Sequence, residues 1–439
     1  MDADRGIIRI SVRNLVEFVM RSGDIDNRRT SAAEKDAMQA GSRMHRKIQK
    51  RQGADYHAEV PMKHTVEQED YRILVEGRAD GVIEAVSGVT IDEIKCVYLD
   101  IHQLEEPLTL HLAQALCYAY MYCADHENIN SITIQITYCN LETEEIRRLK
   151  QDKTREELEE WFQGLIHEYV KWAKYLYHHT LRRNESLREL QFPYEYRTGQ
   201  KELAVSVYRA LARRRNLFIQ APTGIGKTLS VVYPSLKSMG NGTGEKLFYL
   251  TAKTITGSVA ENCFSLLRGQ GMLFTTVTVT AKEKLCPMEK TECNPDACPC
   301  AKGHFDRVND AVFDIIHEQQ GITREILLQY ADRYQVCPFE FCLDISSWAD
   351  GIICDYNYVF DPNAKLKRYF ADGNQGDYLF LVDEAHNLVN RARGMYSACL
   401  VKEDILQVKR IIKGKAPRLE RALERCNRNL LEWKRESAG

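Results

Sequence analysis

The sequence predicts an α/β protein with more than one core, in which a parallel-sheet unit follows a mixed one. Three observations predict it. A chain of 439 residues is too long for a single core and points to two or three domains. From about residue 190 onward, the short apolar runs "NLFIQA", "KLFYLTA" and "YLFLVDEAH" each give way to polar residues and a helix-like stretch. That alternation is the pattern of a parallel sheet with helices on both faces. Before residue 150, helix-like stretches mix with strand runs, "RILVEGRADGVIEA" and "VTIDEIKCVYL" being the clearest.

Between these units the spacing predicts one long amphipathic helix over 154–183, within a helical connector at 151–190. Thr154 and Glu157 form a capping-box pattern, and Leu158, Trp161, Leu165, Tyr169, Trp172 and Leu176 recur at spacings of three and four. The tail from Lys402 is charged and reads as helical.

Composition narrows the setting. Hydrophobic residues at 44% and charged residues at 28% are ordinary for a globular protein. The 60 basic and 62 acidic side chains nearly cancel, so any nucleic-acid groove must be a local basic patch. The opening "MDADRGIIRISVRNL" has no signal-peptide core, and no run approaches the roughly 18 apolar residues of a membrane span. The expectation is a cytoplasmic protein with no membrane partner. Thiols there stay reduced, and clustered cysteines suggest metal rather than disulfides.

"LFIQAPTGIGKTLS" reads as strand, glycine loop and helix start. Gly224 and Gly226 let the backbone curl so that N–H groups face phosphate oxygens, Lys227 reaches the β and γ phosphates, and Thr228 offers its hydroxyl to magnesium. "LFLVDEAHNL" supplies the other half: a buried strand delivers Asp383 to the magnesium and Glu384 to the attacking water. Together these predict a nucleotide hydrolase with Mg2+.

"CPMEKTECNPDACPC" and the later "CPFE" place Cys286, Cys293, Cys298 and Cys337 between the two halves of that site. Four thiolates hold either zinc or an iron–sulfur cluster. Intervening gaps of six, four and thirty-eight residues suit the tight pairs of a zinc ribbon poorly.

Taken in order, "APTGIGKT", "YLTAKT", "IICDYNYVFDP" and "VDEAH" resemble the first motor domain of the XPD/DinG family of superfamily 2 DNA helicases, over roughly 190–439. The resemblance implies a RecA-like motor domain at 191–285 and 344–400, interrupted at 286–343 by an insertion in which Cys286, Cys293, Cys298 and Cys337 hold a 4Fe–4S cluster. It leaves Cys300 and Cys342 outside the ligand set. Gln200, in "RTGQ", falls where such helicases read the adenine, and His386 where they couple nucleotide to domain movement. Residues 401–439 resemble the start of the family's helical arch. The second motor domain, which carries the arginine finger, is expected in cis or in trans. The implied activity is ATP-driven 5′-to-3′ movement on single-stranded DNA.

A second chemistry lies in residues 1–150. "VEGRADGVIEAVSGVTIDEIK" puts Asp80 on one strand and Glu93, Ile94 and Lys95 on the next. Alternation turns Glu93 and Lys95 toward Asp80 and Asp92 to the opposite face. Two carboxylates can hold magnesium while a lysine positions or deprotonates water. With Gly41 and His45 in "GSRMHRKIQ" and Gln114 and Tyr118 in "HLAQALCYAY", the series GxxxH, D, ExK, QxxxY resembles the RecB-type branch of the PD-(D/E)xK nucleases, which have a restriction-endonuclease-like fold. By that resemblance His45, Asp80, Glu93 and the Ile94 carbonyl bind Mg2+ or Mn2+, Lys95 acts on the water, and Gln114 and Tyr118 touch DNA. Glu59, in "HAEVPM", is a further acid of substrate-side or structural kind.

The combined expectation is a helicase with an associated nuclease, acting on single-stranded or forked DNA in repair or processing. Two rivals stand beside it: a fork-binding ATP switch with an inactive nuclease, and an RNA helicase. An intact DEAH box and an intact ExK count against the first.

Overall fold

The computed structural model describes residues 6–28, 34–222, 224–252, 254–371 and 376–437. Thr223 of the glycine loop and Lys253 of "YLTAKT" lie outside them.

The first sheet is mixed and six-stranded. Ile7–Ser11 (β1), Tyr56–Glu67 (β2), Arg72–Ala85 (β3), Gly88–Val97 (β4), Ser131–Asn140 (β5) and Ile146–Thr154 (β6) run in the order β1-β3-β4-β5-β6, with β2 also on β3. β1 with β3 and β4 with β5 pair in parallel, while β2 with β3, β3 with β4, and β5 with β6 pair antiparallel. Val12–Val19 (α1), Glu34–Gln49 (α2) and Thr109–Asp125 (α3) accompany it. From Ala113 to Cys123 nearly every residue of α3 is buried, as its all-round apolar sequence requires.

Arg155–Glu189 (α4) is the predicted connector helix. Its capping box forms: the Glu157 amide donates to Thr154 Oγ1 at 3.2 Å, and the Thr154 amide donates to Glu157 Oε2 at 2.8 Å. The helix outruns its expected end at residue 183, because its last turns are held from outside. Buried Arg183 meets Asp350 Oδ1 at 2.8 Å, and His179 meets Asp350 Oδ2 at 2.8 Å.

The second sheet follows Gln200–Ala212 (α5) and Lys227–Gly240 (α6). Its strands are Lys246–Thr251 (β7), Thr276–Thr278 (β8), Gly321–Ile322 (β9), Gly351–Asp355 (β10) and Tyr378–Val382 (β11), in the order β11-β7-β10-β8-β9. β11 with β7, β10 with β8 and β8 with β9 pair in parallel. Between strands run Thr254–Arg268 (α7), Lys282–Leu285 (α8), His304–Glu318 (α9), Arg324–Arg333 (α10) and Pro338–Trp348 (α11). Two of the expected strands form, aligned residue by residue from Lys246↔Tyr378 to Leu250↔Val382. The third does not. "NLFIQA" is irregular, and Phe218 is 93% exposed. β-branched and aromatic residues make a strand only where a neighbour takes up the backbone groups, and no strand among the described residues pairs with this run.

By contacts the chain divides in two. Residues through Cys354, with Gly376–Asp383, form one unit that contains both sheets; Asp355–Gln375 and Glu384–Gly439 form the other. The second unit carries Asn357–Phe360 (α12), Lys367–Phe370 (α13), Leu388–Met395 (α14), Lys402–Ile412 (α15) and Pro417–Glu436 (α16), so the charged tail is helical as expected. Among the described residues, no helix is long and apolar enough to cross a membrane.

Candidate functional site

The acidic site of the first sheet is built where β3 and β4 part. Their ladder reaches Gly81↔Asp92, and just beyond it the Ile94 amide donates to Asp80 Oδ2 at 2.7 Å. Glu93 and Lys95 share a face, with Lys95 Nζ 2.8 Å from Glu93 Oε1. Asp92 faces the other way and is fully buried; Gln135 Nε2 reaches its Oδ1 at 2.8 Å and the Tyr56 hydroxyl its Oδ2 at 3.2 Å. From α2, the His45 ring donates to the Ile94 carbonyl, and its Nδ1 stands 3.6 Å from Asp80 Oδ1.

Burial dominates the electrostatics. It pushes the Asp80 and Glu93 carboxyls up, Glu93 further through the Asp80 charge, and it pushes the His45 imidazole down. Glu93 is 5% exposed, and its Oε2 is buried without a hydrogen-bond partner. A buried, unpartnered carboxylate oxygen on a residue that feels the charges of a second carboxylate and an imidazole is a donor of the kind a divalent cation takes. Still, among the described residues no group of three or more His, Cys, Asp or Glu is arranged to hold a metal ion. The Ile94 amide and Lys95 each draw one carboxylate oxygen aside.

Gln114 and Tyr118, which the resemblance places against DNA, are both buried, at 6% and 7% exposure. Gln114 Oε1 accepts from Lys95 Nζ at 2.5 Å. The Tyr118 hydroxyl accepts from the Arg78 amide and lies over Gly77, where a Cβ would come within 2.7 Å of it. Glu59 is exposed with φ at +56° and takes a hydrogen bond from Gln49, which also donates to the Asp80 carbonyl at 2.9 Å.

In the glycine loop, Gly224 and Gly226 have φ of +83° and +77°, values that a side chain would strain. Gly226 caps α6, so Lys227 and Thr228 open that helix where its free amides and dipole favour phosphate. Gln200 is buried beneath the loop and braces it. Its Nε2 donates to the Ile225 carbonyl at 3.1 Å, and its Oε1 accepts from the Arg197 amide at 2.9 Å. β11 ends beside β7, the Asp383 amide donating to the Leu250 carbonyl at 2.9 Å. The buried Tyr249 hydroxyl is hydrogen-bonded to both Thr228 and Asp383, the two expected magnesium ligands. Nothing in its sequence neighbourhood marks that tyrosine; only the β7–β11 register does.

Cys286, Cys293, Cys298, Cys300 and Cys337 line one pocket together with Ile25. Cys300, expected outside the ligand set, also lines the pocket, whereas buried Cys342 is turned to the Thr278 carbonyl. Burial pushes the Cys337 thiol up to about 11. Buried His304 supports that residue from behind: the Cys337 amide donates to His304 Nδ1 at 3.2 Å.

The second unit resumes at Glu384, whose φ of +49° is left-handed. Its carbonyl accepts three hydrogen bonds, from the Tyr356 hydroxyl at 3.1 Å, the Asn387 amide at 2.9 Å and Asn387 Nδ2 at 3.1 Å. His386 Nδ1 lies 3.4 Å from Glu384 Oε2, and Arg391 reaches Asp355 and Asn357. The strained glutamate is thus fixed by the "DYN" segment.

The glycine loop and the strand that precedes the DEAH sequence thus belong to an α/β arrangement with a parallel sheet. Comparison with known proteins narrows the class. Residues 272–405 match the DEAD_2 family model. A regulator of telomere elongation helicase 1 homolog from Caenorhabditis briggsae is 24% identical over 264 residues, which is 50% of this chain and 26% of that protein. The Anopheles gambiae homolog is 20% identical over 272 residues, 49% of this chain and 27% of that protein. A solved structure described as an XPD helicase overlaps with a TM-score of 0.37 at 21% identity, covering 54% of this chain and 40% of that one. The chain spans about a quarter of the length of these curated relatives. The DEAD_2 match and the helicase relatives thus bear on part of this chain, the relatives on about half of it.

Proposed function

We propose that this chain joins the first motor domain of an XPD/DinG-type, ATP-dependent 5′-to-3′ DNA helicase to a metal-dependent DNA nuclease. The observation that carries the nuclease half is the buried Glu93 with its unpartnered Oε2 beside Asp80, His45 and Lys95.

In this reading His45, Asp80, Glu93 and the Ile94 carbonyl hold Mg2+ or Mn2+. The ion supplies charge neutralisation for a phosphodiester and lowers the cost of forming hydroxide. Lys95, steadied by Gln114, keeps its ammonium at the carboxylates, where Nζ orients a water and takes part in moving its proton. In the motor half, loop amides and Lys227 bind the ATP phosphates, Thr228 and Asp383 hold Mg2+, and Glu384 orients the attacking water. Cys286, Cys293, Cys298 and Cys337 carry a 4Fe–4S cluster, which supplies a cross-link for an insertion with little regular structure of its own. DNA is the partner, and the second motor domain completes hydrolysis.

The test is a Mn2+ titration followed by electron paramagnetic resonance, without nucleotide. Wild type should bind Mn2+ at a site that Glu93→Gln and Asp80→Asn each abolish. Equal binding by all three proteins contradicts the assignment.

A further inference from the structure

The cysteine pocket borrows a wall from the amino-terminal domain. After α1, residues 21–28 leave the first sheet and run along the cysteine-bearing segment. The contacts alternate along this strap. The Phe305 amide donates to the Gly23 carbonyl at 3.0 Å, the Gly303 amide to Asp24 Oδ1 at 2.6 Å, and the Gly23 amide to Asp306 Oδ1 at 2.8 Å. Farther on, the Ile25 amide donates to the Ala301 carbonyl and the Asn27 amide to the Cys293 carbonyl, both at 2.9 Å.

Two of these contacts do work that α9 cannot do for itself. Its cap, Gly303, has φ of +60° and no side chain to accept the first amides of the helix. Asp24 and the Gly23 carbonyl accept them instead, and the Asp24 charge stands at the positive end of the helix dipole. Ile25 then reaches the thiols and lines their pocket.

The strap is anchored at both ends. Arg21 binds Asp344 at 2.7 Å, Asn309 Nδ2 donates to the Phe18 carbonyl at 3.0 Å, and Arg28 pairs with Asp296 at 2.5 Å. Phe18 packs on Trp172 of α4 and Trp348 of α11, with ring centroids 4.9 and 5.5 Å apart. The segment from Cys286 to Gly303 has no helix or strand of its own beyond turns. Its order therefore comes from what it binds.

We infer that residues 21–28 close the solvent side of the cysteine pocket, so that seating this strap and retaining an iron–sulfur cluster are one coupled event. The inference rests on the cluster reading above. If the loaded pocket favours the seated strap, a seated strap must equally favour the loaded pocket.

The test uses the full chain purified anaerobically, as wild type, Asp24→Ala and Ile25→Asp. Circular dichroism and ATP binding check folding, and Asp24→Ala leaves a milder variant should Ile25→Asp not fold. Iron release to a chelator is followed by absorbance, and trypsin cleavage after Arg21 or Arg28 by mass spectrometry. Asp24→Ala should release iron about fivefold faster, the factor that one helix cap is worth, and Ile25→Asp faster still. Loaded wild type should resist cleavage at both arginines, and stripped wild type should be cut. Loaded wild type accompanied by variants that release iron at its rate, or cleavage indifferent to iron, overturns the coupling. Wild type that binds no iron overturns the cluster reading beneath it.

Discussion

Glu93 bears the costliest charge of the acidic site. Burial raises its carboxyl and that of Asp80 above the ordinary range near pH 4. Between the unfolded and folded values the native state keeps protons that the unfolded state has released. Metal-free stability therefore falls as pH rises through that window and levels off above it. Glu93→Gln, which removes the charge and keeps the shape, should raise the metal-free melting temperature at pH 8 by the equivalent of about 1 kcal/mol or more. Mg2+ should raise the melting temperature of wild type and not of the variant. Scanning fluorimetry with EDTA or Mg2+ checks both, and a destabilised Glu93→Gln contradicts the account. At Glu384 the left-handed backbone costs about 1–2 kcal/mol. Tyr356→Phe removes one of the three bonds that hold it, so single-turnover ATP hydrolysis should slow by about fivefold, roughly 1 kcal/mol, with nucleotide affinity unchanged. At this scale the sequence was legible wherever a period decides. Alternation alone separated Glu93 and Lys95 from Asp92. The bracing roles of Gln114, Tyr249 and His304 were illegible, because each depends on a neighbour set by sheet register rather than by chain proximity.

Among the elements, α4 shows what periodicity can tell and where it stops. Its capping box and apolar stripe were plain in the sequence, whereas its last turns depend on Asp350, more than 160 residues away. Burial pushes that carboxyl up, but the His179 and Arg183 charges outweigh it and hold it well below the usual range. The contribution is present above the unfolded value near 4 and is lost as pH falls toward the folded one. Asp350→Ala leaves Arg183 buried without its partner and should cost about 3–5 kcal/mol in urea unfolding at pH 7. A loss below 1 kcal/mol would show that α4 is held by its apolar face alone. "NLFIQA" marks the opposite limit: its composition favours a strand, but composition cannot say whether an edge is there to receive it.

For the whole molecule, the sequence order of the motifs conveyed more than any one of them. Glycine loop, cysteines and DEAH box follow one another in the order the resemblance rests on, whether or not each neighbouring strand is correctly foreseen. The residues proposed for the acidic site, His45, Asp80, Glu93 and Lys95, all lie before 150, so its chemistry should be independent of nucleotide. The most direct measurement is cleavage of end-labelled single-stranded DNA by the full chain in Mg2+ or Mn2+, with and without ATP. Wild type should cut equally with or without ATP, Glu93→Gln and Lys95→Ala should each lose nearly all cutting, and Asp92→Asn should retain most of it. Strands left intact by wild type in both metals would contradict the nuclease assignment.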